Sequence, residues 1–139
     1  MSARSKARKR AVDAIFQSDL RKEDPGVLLG ATYRQVEDRQ NQDEIFNYAQ
    51  LIVDGVVDHH DEIDDLIETY ANDWTIDRMP ALDRAILRCA LWEILYNEEV
   101  PAGVAIDEAV EIAKEYSTDE SSGFINGVLS KIAGTRKAK

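Results

Sequence analysis

The segment from Ala81 to Tyr96 constrains the fold more than any other part of the chain. On a helical wheel its apolar side chains point in almost every direction, so that no broad polar face remains. A helix with this pattern is buried on all sides, whereas a helix at the surface keeps one polar face. We therefore expect Ala81–Tyr96 to be a helix in the middle of a hydrophobic core.

The other segments also repeat their apolar residues at helical spacing, and none alternates as a half-buried strand does. A first helix is predicted from about Ala3 to Arg21, with Pro25-Gly26 closing it. A weaker helix is predicted from about Val27 to Glu37.

Towards the C-terminus, a linker from Asn72 to Pro80 precedes the central segment. A further helix is predicted from about Val104 to Tyr116. The polar residues Ser117 to Gly123 are expected to break the chain, and the last helix is predicted from Phe124 to about Ala133.

One long helical pattern runs from Asp43 to about Ala71, with an apolar stripe on one face and acidic residues on the opposite face. As one straight helix it would be about 40 Å long, which exceeds a compact domain of this size. We therefore expect a bend or break between Gly55 and Asp61. The stripe consists of Ile45, Tyr48, Ile52, Val56, Ile63, Ile67 and Tyr70, and the acidic face consists of Asp54, Asp58, Asp61, Asp65 and Glu68.

The length of 139 residues fits one domain that buries a sizeable core without disulfides. The sequence thus predicts an all-α fold, a compact single-domain bundle of about six to seven helices over residues 1–139. The only cysteine, Cys89, lies in the apolar run and is expected to be a small buried side chain in a reduced, cytoplasmic protein. No apolar run approaches the roughly 20 residues that a membrane span requires.

Charge divides the chain into a short basic start and an acidic remainder. Residues 1–22 carry seven basic and two acidic residues, whereas the rest carries ten basic and twenty-five acidic residues, so the net charge is -10. The basic residues concentrate in an N-terminal arm at residues 1–10, and a basic tail is expected at residues 131–139. A basic arm on an acidic body is typical of a protein that binds a polyanion.

The helical wheel places positive charge all around the first turns of the first helix. Arg4 and Arg8 fall on the row that continues into the apolar face, whereas Lys6 and Arg10 fall on the other side. Because the apolar face begins only at Ala11, these turns are expected to extend past the body of the protein, where they reach phosphates. The alternatives are a solvated helix end without a ligand and a helix that rests on anionic lipid, for which the apolar face is small.

The acidic stretch from Asp58 to Asp65 contains two histidines and suggests a metal site by its composition. Spacing argues against a metal, because the adjacent His59 and His60 diverge by about 100 degrees on a helix and neither has a second histidine four residues away. We expect a helix edge beside a solvated acidic face instead. Residues 40–77 hold eleven Asp or Glu and no Lys or Arg. This charge favours solubility or, alternatively, a docking surface for a basic protein or a wall that repels polyanions.

The sequence lacks a G-x-S-x-G motif, a P-loop, a Gly-rich dinucleotide turn and a Cys-His pairing. Carboxylates are numerous, but the sequence does not distinguish a catalytic carboxylate from a solvated one. We therefore expect a binding protein with no catalytic residue, no metal and no cofactor.

Four segments, in this order along the chain, resemble the bacterial transcription antitermination factor NusB family over nearly the whole length. Ala7–Gln17 is similar to the Arg-rich first helix of that family, and Leu82–Ile94 is similar to its central helix. Val100–Lys114 is similar to the helix that follows, and Phe124–Ile132 completes the set. The order of the segments and the size of the chain support the resemblance more than any single segment does.

The resemblance implies an all-helical factor that binds the boxA element of ribosomal RNA leaders together with a small-subunit ribosomal protein, NusE. This pair joins the antitermination complex on RNA polymerase and suppresses premature termination. The family contacts RNA through its Arg-rich first helix and through the region just before and within its last helix. Arginine suits phosphates and base edges, and aromatic rings suit unpaired bases. By this resemblance the RNA-binding residues are expected to be Arg4, Lys6, Arg8, Lys9, Arg10, Phe16, Glu120, Ser121, Phe124 and Asn126.

Several of these expectations have alternatives. Phe16 and Phe124 are equally expected as core residues, and Asn126 equally serves packing or capping. An acidic or exposed helical face, with Asp83 and Glu108 as candidates, is expected to dock the ribosomal protein. The rival function is a protein-interaction scaffold whose basic arm binds an acidic partner instead of RNA. Both a monomer and a homodimer are compatible with the sequence.

Overall fold

The computed structural model of the chain describes residues 2–37, 40–72 and 74–136, and these residues form seven α-helices, one 3₁₀ helix and no strand. This result confirms the all-α prediction. The helices are, in chain order, α1 (Ala3–Arg21), α2 (Pro25–Gln35), α3 (Gln42–Asp58), α4 (His60–Tyr70), the 3₁₀ helix (Ile76–Arg78), α5 (Ala81–Tyr96), α6 (Ala102–Tyr116) and α7 (Asp119–Gly134). None of these helices is long and apolar enough to cross a membrane.

Helix α5 lies at the centre of the bundle, as its sequence predicts. It contacts α1, α3, α4, α6 and α7, and the side chains of Ile86, Leu87, Leu91 and Ile94 are at most 1% exposed. Cys89 is also buried, which confirms its expected role as a small core side chain. Burial of each large aliphatic side chain contributes about 1.5–3 kcal/mol, so a helix buried on every side organises the core.

The long pattern of residues 43–71 breaks at His59, between α3 and α4 and within the predicted interval. One turn earlier, Gly55 faces Trp92 of α5. A Cβ atom at Gly55 would lie 1.9 Å from Trp92 Nε1, so only glycine allows this close approach. The apolar stripe faces the core and the acidic face is exposed, as expected.

The connection between α1 and α2 differs from the prediction. Pro25 does not close α1, because α1 ends at Arg21 and is followed by Lys22 in the left-handed conformation with φ of 59°. Pro25 instead begins α2, where its fixed φ suits the first turn. Asp24 caps this helix by accepting a hydrogen bond of 2.7 Å from the Gly26 backbone.

Helix α7 begins well before the predicted start at Phe124. Thr118 caps it by accepting a hydrogen bond of 3.0 Å from the Ser121 backbone. The polar segment 117–123, which the sequence predicts as a break, therefore forms mostly the first turns of α7. Of the predicted basic tail, Arg136 is exposed, whereas Lys137 and Lys139 lie outside the described residues.

Candidate nucleic-acid interface

The first turns of α1 pack into the bundle and do not extend past it. Ser2 caps the helix by accepting a hydrogen bond of 3.1 Å from the Ser5 backbone. Ala7 is completely buried and Arg8 is 7% exposed, so the expectation of an overhanging basic helix is wrong. The packed face begins at Ala7, a side chain too small to mark an apolar face clearly in the sequence.

Arg8 lies in a buried polar cluster between α1, α3 and α5. Its Nε donates a hydrogen bond of 2.8 Å to Oε1 of Glu93, a side chain that is 2% exposed. Tyr48 donates its hydroxyl hydrogen to the other oxygen of Glu93 and accepts a hydrogen bond of 2.9 Å from Asn97. Burial acts to lower the pKa of Arg8, but the hydrogen bond and the charge of Glu93 outweigh burial and raise this pKa. The guanidinium is therefore held inside the fold and offers little surface to a ligand.

Arg4 lies one turn before Arg8, at the edge of this cluster. Its Nη2 is 3.3 Å from Oε2 of Glu99, and its guanidinium carbon is 4.4 Å from the centre of the Tyr48 ring. The Arg4 side chain is 44% exposed, so an anion in solution reaches it. Arg4 and Arg8 thus share one side of α1, as the helical wheel predicts, but only Arg4 is accessible.

The other predicted residues of α1 line a groove on the opposite side of the helix. Lys6, Lys9, Arg10 and Phe16 border a cavity of about 820 Å³ whose remaining walls come from α3, α5 and α6. Within the described part of the chain, the Lys6 side chain makes no ion pair or hydrogen bond. The guanidinium carbon of Arg10 lies 5.6 Å from the centre of the Phe46 ring. The groove therefore combines accessible positive charge with an aromatic side chain.

Two further groove residues, Tyr116 and Gln42, were missed by the sequence analysis. Tyr116 is 56% exposed at the end of α6, and the fold places it in the same groove as Lys6, Lys9 and Arg10, which its position in the sequence does not show. Among the residues that line this groove, Asp13 carries the one carboxylate, and it accepts a hydrogen bond of 3.0 Å from Gln17.

Lys9 is paired with an acidic residue from α6. Its Nζ lies 2.6 Å from Oε2 of Glu115 and 5.5 Å from the centre of the Tyr116 ring. The hydrogen bond from Lys9 lowers the pKa of Glu115, and the same bond is the main cause of the raised pKa of Lys9. Both groups are charged near neutral pH, so the positive charge of Lys9 is neutralised locally.

The start of α7 lies beside the groove. Ser121 Oγ donates a hydrogen bond of 2.9 Å to Oδ2 of Asp83, and Ser117 Oγ donates one of 3.2 Å to Oδ1. Leu82 and Tyr116, the chain neighbours of Asp83 and Ser117, line the groove. The structure thus brings the predicted residue Ser121 close to the end of the groove.

Of the remaining predicted residues of α7, Glu120 lies in the first turn, and Phe124 and Asn126 lie farther along the helix. Phe124 packs partly against the core, with its ring centre 6.4 Å from that of Trp74. Glu120 is exposed, and Asn126 is exposed with its Oδ1 accepting a hydrogen bond of 3.4 Å from Ser130. Phe16 also packs partly against the core. Both phenylalanines thus have a packing role, and their RNA contacts stay predictions.

The two candidates for a docking face lie in different environments. Asp83 is 3% exposed and accepts hydrogen bonds from two serines, so the expectation that it lies on a docking face is wrong. Its carboxylate instead links α5 to α7. Glu108 is partly exposed; it accepts a hydrogen bond of 2.7 Å from Ser5 Oγ and lies 3.5 Å from Arg8 Nη1. A docking role for Glu108 stays a prediction.

The histidine pair on the acidic face is engaged in local contacts. His59 stacks on Tyr96 with ring centres 3.8 Å apart, and His60 Nε2 lies 3.2 Å from Oδ2 of Asp64. The Asp64 carboxylate also accepts two hydrogen bonds, of 2.8 and 2.9 Å, from Arg88. Across residues 2–37, 40–72 and 74–136, no group of three or more His, Cys, Asp or Glu side chains is arranged to hold a metal ion.

Comparisons with known proteins relate the whole bundle to one family. The sequence model of the NusB family matches residues 5–134. The transcription antitermination protein NusB of Leifsonia xyli is 53% identical over 133 residues, which cover 96% of this chain and 92% of the relative. NusB of T. maritima superimposes with a TM-score of 0.83 and 33% identity, covering 96% of this chain and 92% of that one. A crystal structure of antitermination factors NusB and NusE in complex with dsRNA gives a TM-score of 0.84 and 30% identity, covering 97% of this chain and 98% of that one.

Proposed function

The chain belongs to the NusB family of transcription antitermination proteins, and we propose that it binds boxA-type RNA of ribosomal RNA leaders together with the small-subunit ribosomal protein NusE. In this role it joins the antitermination complex in the cytoplasm and helps RNA polymerase to avoid premature termination. It acts by binding and carries out no chemical step.

The groove along α1 is the observation that carries this proposal. Lys6, Lys9, Arg10 and Phe16 line it together with Tyr116, on a chain whose net charge is -10. Lysine and arginine neutralise phosphates, and this interaction provides most of the sequence-independent affinity for nucleic acid. Aromatic side chains stack on unpaired bases. The combination favours single-stranded RNA as the ligand.

The acidic remainder of the chain supports the requirement for a second protein. Outside residues 1–22 the chain carries twenty-five acidic and ten basic residues, and this excess of negative charge repels RNA at a distance. A partner with a basic surface reduces the repulsion and extends the surface that contacts RNA. The crystal structure that combines NusB, NusE and dsRNA supports this choice of partners. Glu108 is our candidate for the docking face.

Fluorescence anisotropy of a labelled boxA-like RNA, measured with and without NusE, tests the proposal, and a scrambled RNA of equal length is the sequence control. Each phosphate contact to single-stranded RNA contributes about -0.7 to the slope of log affinity against log salt, so about four contacts give a slope near -3. The variant Lys6→Ala/Arg10→Ala should bind more weakly, and its slope should be shallower by about 1.4.

A matched control removes the same charge from another part of the protein. Arg21 and Arg34 are exposed and do not line the groove, so Arg21→Ala/Arg34→Ala should keep nearly the wild-type slope. Preference for the boxA-like RNA that increases with NusE supports the proposal. Equal, weak binding of both RNAs by every variant contradicts it and favours the scaffold whose basic arm binds an acidic protein.

A further inference from the structure

Acidic side chains from α6 and from the preceding loop face the basic arm. They meet polar side chains of α1 on successive turns, so that much of the arm is already in contact with carboxylates in the free protein. The contacts are Arg4 with Glu99 at 3.3 Å, Ser5 with Glu108 at 2.7 Å, Arg8 with Glu108 at 3.5 Å and Lys9 with Glu115 at 2.6 Å.

The pair of Lys9 and Glu115 differs from the buried pair of Arg8 and Glu93 in its exposure. The Lys9 side chain is 21% exposed and that of Glu115 is 49% exposed, whereas the Arg8 and Glu93 side chains are at most 8% exposed. Breaking a buried pair leaves a charge without water, whereas Lys9 and Glu115 each keep part of their surface in contact with water when they separate. Lys9 is therefore released from Glu115 at little cost.

Lys9 belongs to two neighbouring surfaces at the same time. It lines the basic groove with Lys6 and Arg10, and it lines a second cavity with Glu111 and Glu115 between α1 and α6. A phosphate group in the basic groove binds the ammonium group of Lys9. The carboxylate of Glu115 binds the same ammonium group in the free protein. Both are anionic acceptors of its hydrogen bonds, so they compete for Lys9.

We propose that Glu115 is an intramolecular competitor of RNA for Lys9, which lowers the affinity of the basic groove for every RNA regardless of its sequence. This inference rests on the proposed RNA-binding function. Phosphate contacts carry no sequence information directly, so occupation of Lys9 by a carboxylate weakens that part of binding. RNA that lacks productive base contacts then binds too weakly to occupy the groove, and bound RNA displaces Glu115 from Lys9.

Affinities of a boxA-like and a scrambled RNA for wild type, Glu115→Gln and Glu111→Gln test the inference. Glu111 lies one turn earlier on α6 and pairs only loosely with Lys114, at 3.7 Å, so Glu111→Gln changes the net charge equally without releasing Lys9. Glu115→Gln should bind both RNAs roughly two- to fivefold more tightly than Glu111→Gln does, as expected for loss of an exposed ion pair. The difference should shrink as salt increases, because salt screens exposed charges.

The same comparison in a Lys9→Gln background separates competition from a general effect on α6. Without the ammonium group, Glu115→Gln and Glu111→Gln should have equal effects on RNA affinity. An advantage of Glu115→Gln that persists without Lys9 overturns the inference, as does equality of the two variants when Lys9 is present. If wild type binds neither RNA with or without NusE, the proposed function fails first and the inference fails with it.

Discussion

Arg8 on α1 donates a hydrogen bond of 2.8 Å from Nε to Oε1 of Glu93 on α5. Both side chains are buried, and Glu93 also accepts the hydroxyl hydrogen of Tyr48 on α3. One carboxylate thus joins α1, α3 and α5. Arg8 is therefore a structural residue of the arm, whereas its neighbour Lys6 is exposed.

Replacement of Arg8 by alanine should strongly destabilise the fold. It leaves the buried Glu93 carboxylate without its cation, and removal of one partner of a buried pair costs about 3–5 kcal/mol. Lys6→Ala, two residues away on the exposed side, should change the free energy of unfolding by less than about 0.5 kcal/mol. Urea denaturation followed by circular dichroism measures both values. Similar stabilities of the two variants would contradict the structural role of Arg8.

A second prediction concerns the link between α5 and α7. The hydrogen bond from Ser121 to the Asp83 carboxylate should give a coupling energy of about 1–2 kcal/mol in a double-mutant cycle of Asp83→Ala and Ser121→Ala. Ser130 is exposed on the same helix and makes its hydrogen bond with Asn126. In the cycle of Asp83→Ala with Ser130→Ala, the two changes in the free energy of unfolding should therefore add within about 0.5 kcal/mol. Equal coupling in both cycles would show that the serine contact contributes nothing specific.

The sequence predicts the central helix and a break between Gly55 and Asp61 because these depend on local patterns. A segment of 16 residues that is apolar almost all round its helical wheel is too long for an ordinary strand and indicates a buried helix, and a helical pattern too long for the domain must break. It does not predict how far the core covers α1, because Ala7 contributes too little to the apolar pattern. The side chain of Ala7 is nevertheless completely buried. The predicted overhang of the arm failed for this reason.

The candidate site is also predictable only in part. Residues on one helix can be placed from the sequence, but their partners on other helices cannot. Lys6, Lys9 and Arg10 share a groove because one helix carries them. The partner of Lys9 comes from α6 and that of Arg10 from α3, and sequence spacing does not reveal which side chain lies opposite which cation. Glu93 does carry a signal, since a glutamate inside an apolar helix requires a buried partner. The sequence cannot identify this partner as Arg8.

Gly55 provides a test of the packing between α3 and α5. A Cβ atom there would lie 1.9 Å from Trp92 Nε1, so Gly55→Ala should displace the indole and lower the free energy of unfolding by about 1–3 kcal/mol. Gly127 lies inside α7, and apart from its chain neighbours and the backbone of its own helix no heavy atom lies within 4 Å of an added Cβ. Gly127→Ala should therefore stabilise the protein by about 0.5–1 kcal/mol, because alanine favours helix. If Gly55→Ala also stabilises, the close approach of Trp92 is incorrect.

The buried thiol of Cys89 predicts how stability depends on pH in alkaline solution. Burial, followed by the negative charge of Glu93, raises the pKa of this thiol above its ordinary value of about 8.5. A raised pKa means that the folded state retains a proton that the unfolded state releases. The contribution of the thiol to the free energy of unfolding is fully present below about pH 8.5, and it is lost as pH increases towards the folded-state pKa.

Urea denaturation of wild type and Cys89→Ala between pH 7 and pH 10 measures this loss. Tyr48 also has a raised pKa, caused mainly by burial, but it is present in both proteins and its effect cancels in the difference. The stability of wild type relative to Cys89→Ala should be constant up to about pH 8 and should then fall by about 1.4 kcal/mol per pH unit. A difference that stays constant up to pH 10 would mean that the thiol ionises as easily in the folded protein as in the unfolded chain.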